Sequence, residues 1–75
     1  MTRTMGQEWR DYRLQVVPVD AEDEQVLETR RAFYAGAGAL FKLFIVAIEA
    51  ESPKTLEALK KELDDFVNDV VDGKA

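Results

Sequence analysis

The stretch that decides the fold is AFYAGAGALFKLFIVAI, which runs from Ala32 to Ile48 and contains one charged residue, Lys42. Its apolar residues recur every three or four positions, which is typical of an α-helix. At about 100° per residue, mostly large side chains gather on one broad side of this helix and mostly small ones on a neighbouring side. The large side consists of Val26, Phe33, Ala37, Leu40, Phe41, Phe44 and Ile48, and the small side consists of Ala32, Gly36, Ala39, Leu43 and Ala47. We therefore predict a central helix that is apolar over most of its circumference.

A shorter helix is predicted ahead of it, from Met5 to Val16. Thr4 and Gln7 have the spacing of a capping box at its start, and Pro18 disfavours helical geometry in the preceding residue. The central helix is then expected to begin near Asp20, whose side chain can cap it, and to continue for about thirty residues, or roughly 45 Å.

The central helix is expected to end near Ala50, and a third helix follows. Ser52 is a favourable N-cap, Pro53 suits the first helical position, and Gly73 is a suitable stop. The apolar residues of the third helix have the spacing of a heptad seam. They are Leu56, Leu59, Leu63, Phe66 and Val70. One alternative remains open, in which the central helix breaks near Gly36 to Gly38 and folds onto itself.

These patterns predict an all-α protein with a short N-terminal helix, a long central helix and an amphipathic C-terminal helix, in one domain over residues 1–75. A chain of 75 residues buries little surface, and without cysteine it has no disulfide. Two thin helices cannot cover the central one, so we predict a helical hairpin that forms a homo-oligomer through the small side of that helix.

Composition excludes several classes of function. The chain has no histidine and no cysteine, so we expect no enzyme activity, and we expect no cofactor or metal. Its net charge of −5 opposes DNA binding, which depends on cations that neutralise phosphates. The polar N-terminus has no apolar run of the secretory kind, and a cytoplasmic location is therefore expected.

A membrane-spanning central helix is the less favoured alternative. The 17 residues from Ala32 to Ile48 are few for a span, which needs about 20 apolar residues. The small residues of this segment do have the spacing found between membrane helices. Lys42, however, lies near its middle, where a charge costs about 2.5–3.5 kcal/mol.

One row of residues on the central helix suggests a binding site. Arg31, Ala35, Gly38 and Lys42 fall at i, i+4, i+7 and i+11, so two cations flank two small residues in a shallow slot. Arg30 and Tyr34 lie beside this row, and arginine suits bidentate contact with phosphate, whereas tyrosine can stack on a base.

The pattern therefore predicts a phosphate-bearing small ligand. The alternative is that Arg31 and Lys42 form ion pairs with Glu24, Glu28 or Glu49 on a solvated strip. Trp9 and Tyr12 share the apolar side of the first helix with Met5 and Val16, which favours a role in the core. Arg10 and Arg13 are then flanking residues or a second source of phosphate contacts.

The stretch from Glu28 to Ile48, ETRRAFYAGAGALFKLFIVAI, resembles short helical proteins of tailed bacteriophages, and so does Tyr12-Arg13-Leu14 ahead of an acidic turn. Among these is the anti-CBASS family of cyclic-oligonucleotide sponges, small helical proteins that assemble into closed oligomers and sequester a signalling nucleotide of the host. The resemblance implies a tyrosine and a basic residue as ligand contacts, for which Tyr12 and either Arg30 or Arg31 are the candidates.

The preferred interpretation is a phage-type oligomeric protein of the infected cell's cytoplasm that sequesters a phosphate-bearing ligand, such as a cyclic nucleotide immune signal, to counter host defence. A second interpretation is an inhibitor that binds a host protein through an acidic helical surface. That surface would comprise Asp64, Asp65, Asp69 and Asp72. The third is the membrane helix described above, which would serve a lysis protein.

Overall fold

A computed structural model describes residues 2–75 of the chain, and over these residues it has three α-helices and no strand. We label them α1 (Met5–Val16), α2 (Asp23–Glu49) and α3 (Pro53–Val71). The all-α prediction is confirmed.

The bounds of α1 follow from its local signals. The Thr4 side chain accepts a hydrogen bond from the Gln7 backbone N–H, and the Gln7 side chain accepts one from the Thr4 backbone N–H. Val17, the residue before Pro18, has extended geometry with φ −82° and ψ 127°. The predicted helix from Met5 to Val16 is therefore confirmed at both ends.

The start of α2 differs from the prediction. Asp20 does not cap this helix, because the chain first makes a turn in which the Ala21 N–H donates to the Pro18 carbonyl. The helix begins at Asp23, with Asp23 and Glu24 in its first turn, where acidic residues suit the positive end of the helix dipole. It then continues without interruption to Glu49, so the predicted alternative of a break near Gly36 to Gly38 is wrong.

Both α2 and α3 end in the hydrogen-bond pattern of a Schellman motif, which requires one residue in the left-handed region. At the end of α2 this residue is Glu51 (φ 50°), and the Ser52 N–H donates to the Ala47 carbonyl. At the end of α3 it is Gly73 (φ 76°), as the sequence predicts. Ser52 then caps α3 through the Thr55 backbone N–H, with Pro53 at the first helical position.

The chain divides into two compact units, of which the first ends at Leu40 and the second begins at Phe41. The first unit contains α1 and most of α2. Its interior holds Trp9, which is 7% exposed, and Val17, which is 9% exposed. The Trp9 ring lies 5.5 Å from the Phe33 ring, measured between centroids, so the aromatic stripe of α1 packs on the large side of α2 as expected.

The second unit contains the end of α2 and all of α3. Ala47 is 2% exposed and is its one buried residue, and Leu56 and Leu59 are half buried. The sequence places Ala47 on the side of α2 that faces a second copy, and this assignment is wrong because Ala47 is covered within its own chain. The large side chains expected to face α3 are instead exposed. They are Phe41, Phe44 and Ile48.

A large apolar surface therefore remains uncovered. Among residues 2–75, large apolar side chains are exposed on all three helices, for example Leu14 (78%), Phe41 (63%) and Val71 (79%). The sequence predicts that α2 is apolar over most of its circumference, and this helix leaves Phe41, Leu43 and Val46 more than half exposed.

Candidate ligand-binding site

A cluster of four aromatic rings holds the middle of α2 against α1. The Phe33 ring lies 5.2 Å from the Tyr12 ring and 5.9 Å from the Tyr34 ring, the latter in an edge-to-face arrangement. Such contacts fix ring orientation, because the positive edge of one ring meets the negative face of the next. Tyr34 is therefore half buried and held in place on the rim of the cluster.

Arg30 extends over the ring of Tyr34. Its guanidinium carbon lies 5.6 Å from the ring centroid, within the range of a cation–π interaction. Among residues 2–75, the hydrogen bonds and ion pairs of side chains do not include the Arg30 guanidinium. Arg30 is thereby positioned to donate hydrogen bonds to an anion.

The two predicted arginines and Tyr34 line one cavity of about 380 Å³, together with Leu27. These residues fall at i, i+3, i+4 and i+7 of α2 and so form one surface. The cavity combines two cations with an aromatic ring and an aliphatic side chain. It thus offers phosphate contacts beside a surface on which a flat apolar group can lie.

Leu27 is the member of this cavity that the sequence analysis missed. It lies one helical turn before Arg30 and Arg31. Extending the predicted row from Arg31 to Lys42 by one turn toward the start of α2 would have included it. The cavity is consequently one to two turns closer to the start of α2 than the predicted slot from Arg31 to Lys42.

The remaining predicted contacts lie elsewhere. Tyr12 belongs to the aromatic cluster, with 36% of its surface exposed, and does not line the cavity. Gly38 and Lys42 do not line it either, and Lys42 belongs to the second unit. The structure thus brings Arg30, Arg31 and Tyr34 together and leaves Tyr12, Gly38 and Lys42 outside that group.

Gly38 nevertheless has open space around it. A Cβ atom built on Gly36 or Gly38 would meet no atom within 4 Å, apart from its own helix and chain neighbours. Neither glycine has a positive φ, so neither the backbone conformation nor packing within the chain requires glycine at these positions. This part of α2 is accessible to a second molecule.

The ion pairs of the described residues do not involve the cations that the sequence predicts as ligand contacts. Across residues 2–75, the ion pairs involve Arg3, Lys60 and Lys61, and not Arg30, Arg31 or Lys42. The alternative in which Arg31 and Lys42 pair with acidic residues of the solvated strip is therefore not observed. The two guanidinium groups at the cavity are available to a ligand.

A second basic cavity lies in the first unit, at the turn between α1 and α2. Its volume is about 330 Å³, and Arg10 and Arg13 line it with apolar neighbours that include Leu14, Val17 and Val26. The sequence suggested that these two arginines are flanking residues or extra phosphate contacts. Their position on α1 at i and i+3 explains why both reach the same cavity.

The acidic surface of α3 is partly neutralised. Asp64 accepts a hydrogen bond from Lys60 at 2.5 Å, and Asp65 accepts one from Lys61 at 2.6 Å. These bonds raise the pKa of both lysines. A cavity of about 420 Å³ on α3 is lined by one lysine, Lys61, and three carboxylates, Glu62, Asp65 and Asp69, so its net negative charge disfavours a phosphate. No group of acidic residues suited to a metal ion occurs among the described residues.

The length and composition of α2 also meet the criteria for a membrane span, although a core helix or a signal sequence meets them too. Only 6% of its most apolar 18-residue window is buried in the structure. The helix thus remains uncovered along the segment that the sequence identified as too apolar to stand alone.

Comparisons with known protein families, with curated proteins and with solved structures each found no match. The resemblance to phage proteins and cyclic-oligonucleotide sponges therefore stays a prediction, and what supports a function is the geometry of the chain itself.

Proposed function

We propose that this chain is a small oligomeric protein that sequesters a phosphate-bearing ligand. The observation that carries the proposal is the convergence of Arg30, Arg31 and Tyr34 on one cavity, where ion pairing does not neutralise the arginines. Following the resemblance to phage proteins, the ligand class is a cyclic nucleotide signal of host immunity, and the site of action is the cytoplasm of the infected cell.

The chemistry of the cavity suits a nucleotide. Each guanidinium can donate two parallel hydrogen bonds to a phosphate, and Tyr34 offers an aromatic surface for a base. The Arg30 guanidinium already lies over the Tyr34 ring, which reduces the side-chain entropy that binding would cost. Because there is no acidic residue among those that line the cavity, an anion meets only positive charge there.

The cavity also suggests why the protein would act as an oligomer. All of its lining residues belong to one helix, α2, so one face of a bound ligand would remain in solvent. Ligand sites commonly bury 70–90% of a small ligand in about 300–1,000 Å³. A cyclic oligonucleotide is larger than this one cavity of about 380 Å³, and a second chain on the uncovered surface of α2 would close the site.

The proposal is tested by thermal unfolding in the presence of cyclic di- and trinucleotides. A ligand that binds only the folded state at about a hundredfold above its Kd adds about 2.7 kcal/mol and should raise the Tm by roughly 10 °C or more. Arg31→Ala should abolish this rise, and Arg31→Lys should retain only part of it because lysine cannot make the bidentate contact.

The matched control is Lys54→Ala, which removes one exposed positive charge far along the sequence on α3. It should leave the rise in Tm unchanged. If cyclic nucleotides do not shift the Tm of the unsubstituted chain, or if Arg31→Ala and Lys54→Ala behave alike, the proposed site is wrong.

A membrane-spanning role for α2 is the second candidate function, and the exposure of its apolar window favours it. Lys42 opposes this role, because a charge in the bilayer centre is costly. Expression in cells followed by alkaline extraction separates the two: an integral span stays with the membranes, whereas the proposed sponge appears in the soluble fraction without detergent.

A further inference from the structure

The cavity at the turn between α1 and α2 is built differently from the other two cavities. The cavity at Tyr34 is lined by α2 alone, and the acidic cavity is lined by α3 alone. At the turn, the walls come from the last two turns of α1, from residues 17–21 and from the first turn of α2. We call this site the turn cavity. A ligand there would contact two helices and the turn that joins them.

The walls of the turn cavity are aliphatic, and none of its lining residues is aromatic. Its apolar members are Leu14, Val17, Pro18, Val19, Ala21 and Val26. They range from the buried Val17 to the fully exposed Val19. A nucleotide base has no ring to stack on here, whereas an alkyl chain would cover apolar surface that is otherwise exposed to water.

Backbone hydrogen bonds hold these walls in place. The Val17 N–H donates to the Arg13 carbonyl at 3.2 Å, and the Ala21 N–H donates to the Pro18 carbonyl at 3.1 Å. Pro18 also restricts its own backbone φ through its ring. Because the walls are already ordered, a ligand would not have to order them on binding.

Two cations line the turn cavity, and no acidic side chain is among its lining residues. The acidic residues of α1, Glu8 and Asp11, both accept hydrogen bonds from Arg3, at 2.6 Å and 2.5 Å. The ion pairs found within residues 2–75 include neither Arg10 nor Arg13. Both guanidinium groups can therefore donate charge-assisted hydrogen bonds to an anion.

The volume of the turn cavity limits the size of the ligand. It measures about 330 Å³, which accommodates about ten groups of the size of a water molecule, each about 30 Å³. This is about the number of non-hydrogen atoms in octanoate, an alkyl chain with one carboxylate.

We propose that the turn cavity binds an aliphatic anion, with one alkyl chain of medium length and one anionic head group. The head group lies against Arg10 and Arg13, and the chain lies along Leu14, Val17 and Val26. Arginine suits carboxylate and phosphate head groups alike, so the aliphatic chain distinguishes this ligand from a nucleotide. The inference goes beyond the proposed function and does not depend on it.

The first test is a titration with octanoate, followed by amide NMR spectroscopy. We expect saturable shifts at residues 10–26 and unchanged signals in α3. Acetate has the same head group without the chain, and octylammonium has the same chain with the opposite charge. Both should bind at least about tenfold more weakly, because each lacks one of the two contributions.

A series of carboxylates of increasing length tests the apolar walls. From butanoate to octanoate, affinity should rise by up to about fourfold for each methylene that is buried. The rise should stop once the chain fills the cavity. A rise that continues while the shifts spread over α2 and α3 would mean unspecific adsorption and overturns the proposal. The absence of saturable shifts overturns it as well.

The arginines are tested with Arg13→Ala, which should weaken octanoate binding by at least about tenfold. Arg13→Lys should weaken it less, because lysine keeps the charge and loses the bidentate contact. Lys54→Ala is the matched control; it removes one exposed positive charge from α3 and should leave the affinity unchanged. Equal affinities of Arg13→Ala and Lys54→Ala would show that Arg13 does not hold the head group, and the proposal would be wrong.

A second variant acts at the rim of the turn cavity. Val19→Asp adds a carboxylate where the side chain is fully exposed, so it should weaken octanoate binding while circular dichroism shows intact helices. Val46→Asp makes the same change at an exposed position of the second unit and should have no effect on octanoate. Octanoate is titrated without nucleotide, so this result and the Tm shift with cyclic nucleotides can fail separately.

Discussion

Trp9 in the first unit is 7% exposed, whereas Phe66 in the second unit is 61% exposed, although both are large apolar side chains on amphipathic helices. In the first unit, α1 meets the part of α2 that carries Phe33, and aromatic rings interlock at centroid distances of 5.2–6.0 Å. In the second unit, the one buried side chain is Ala47, which has little area to bury. The comparison shows that amphipathic patterning alone does not secure burial, because large side chains interlock and cover one another in the first unit and remain exposed in the second.

The two units therefore differ in what holds them. The first has an interior of its own and carries the basic cavity on a surface that the aromatic cluster orients. The second exposes large apolar side chains on both of its helices, among them Phe41 on α2 and Phe66 on α3. The proposed ligand site thus belongs to the first unit.

The largest expected effect is that of Trp9→Ala, which should destabilise the first unit by about 3–5 kcal/mol because it removes the largest buried side chain. Hydrogen exchange should show lost protection in α1 and in the first half of α2, with less change in α3. Leu14→Ala, at a side chain that is 78% exposed, is the control and should change stability little. Equal loss of protection in α3 would mean that the two units unfold as one.

A smaller effect in the other unit is expected from Ala47→Leu. Ala47 is 2% exposed, and the added atoms should cost about 1–3 kcal/mol through overpacking within the second unit. Val46→Leu is the control, since Val46 is 61% exposed. Denaturant unfolding measures both; a neutral Ala47→Leu would contradict the close packing of the second unit.

The smallest effects are expected at the two Schellman motifs. Glu51→Gly should stabilise the second unit by about 0.5–1 kcal/mol, because glycine adopts a positive φ without the strain of a Cβ atom. Gly73→Ala should have the opposite sign and affect mainly the last turn of α3, since that motif ends the helix. The change in Tm of each variant provides the measurement, and a destabilising Glu51→Gly would show that the Glu51 side chain has another role.

Local signals explain which elements were predicted well. The bounds of α1 depend on the Thr4 capping box and on Pro18, and the start of α3 depends on Ser52 and Pro53, all of which act over a few residues. The start of α2 was placed about three residues too early, because the turn from Pro18 to Ala21 competes with capping by Asp20. Both the turn and the cap are local patterns, and the apolar periodicity of α2 does not distinguish between them.

The candidate site was predicted only in part, because some of its features depend on spacing along one helix and others on packing between helices. Arg30, Arg31 and Tyr34 are close in sequence on one helix, so their proximity follows from helical spacing. The aromatic cluster that fixes Tyr34 requires α1 to pack on α2, and the position of Tyr12 in that cluster, outside the cavity, depends on where α1 lies.

By itself, the sequence determined the three helices, the caps of α1 and α3, the stop of α3 and the apolar character of α2, because these depend on neighbouring residues and on total composition. Only the tertiary structure decided which apolar side of α2 is buried in the second unit. Ala47 of the small side is 2% exposed, whereas Phe41, Phe44 and Ile48 of the large side are 42–63% exposed. Hydrophobicity alone does not distinguish the two sides, because their burial depends on where the chain lies after it turns at the left-handed residue Glu51.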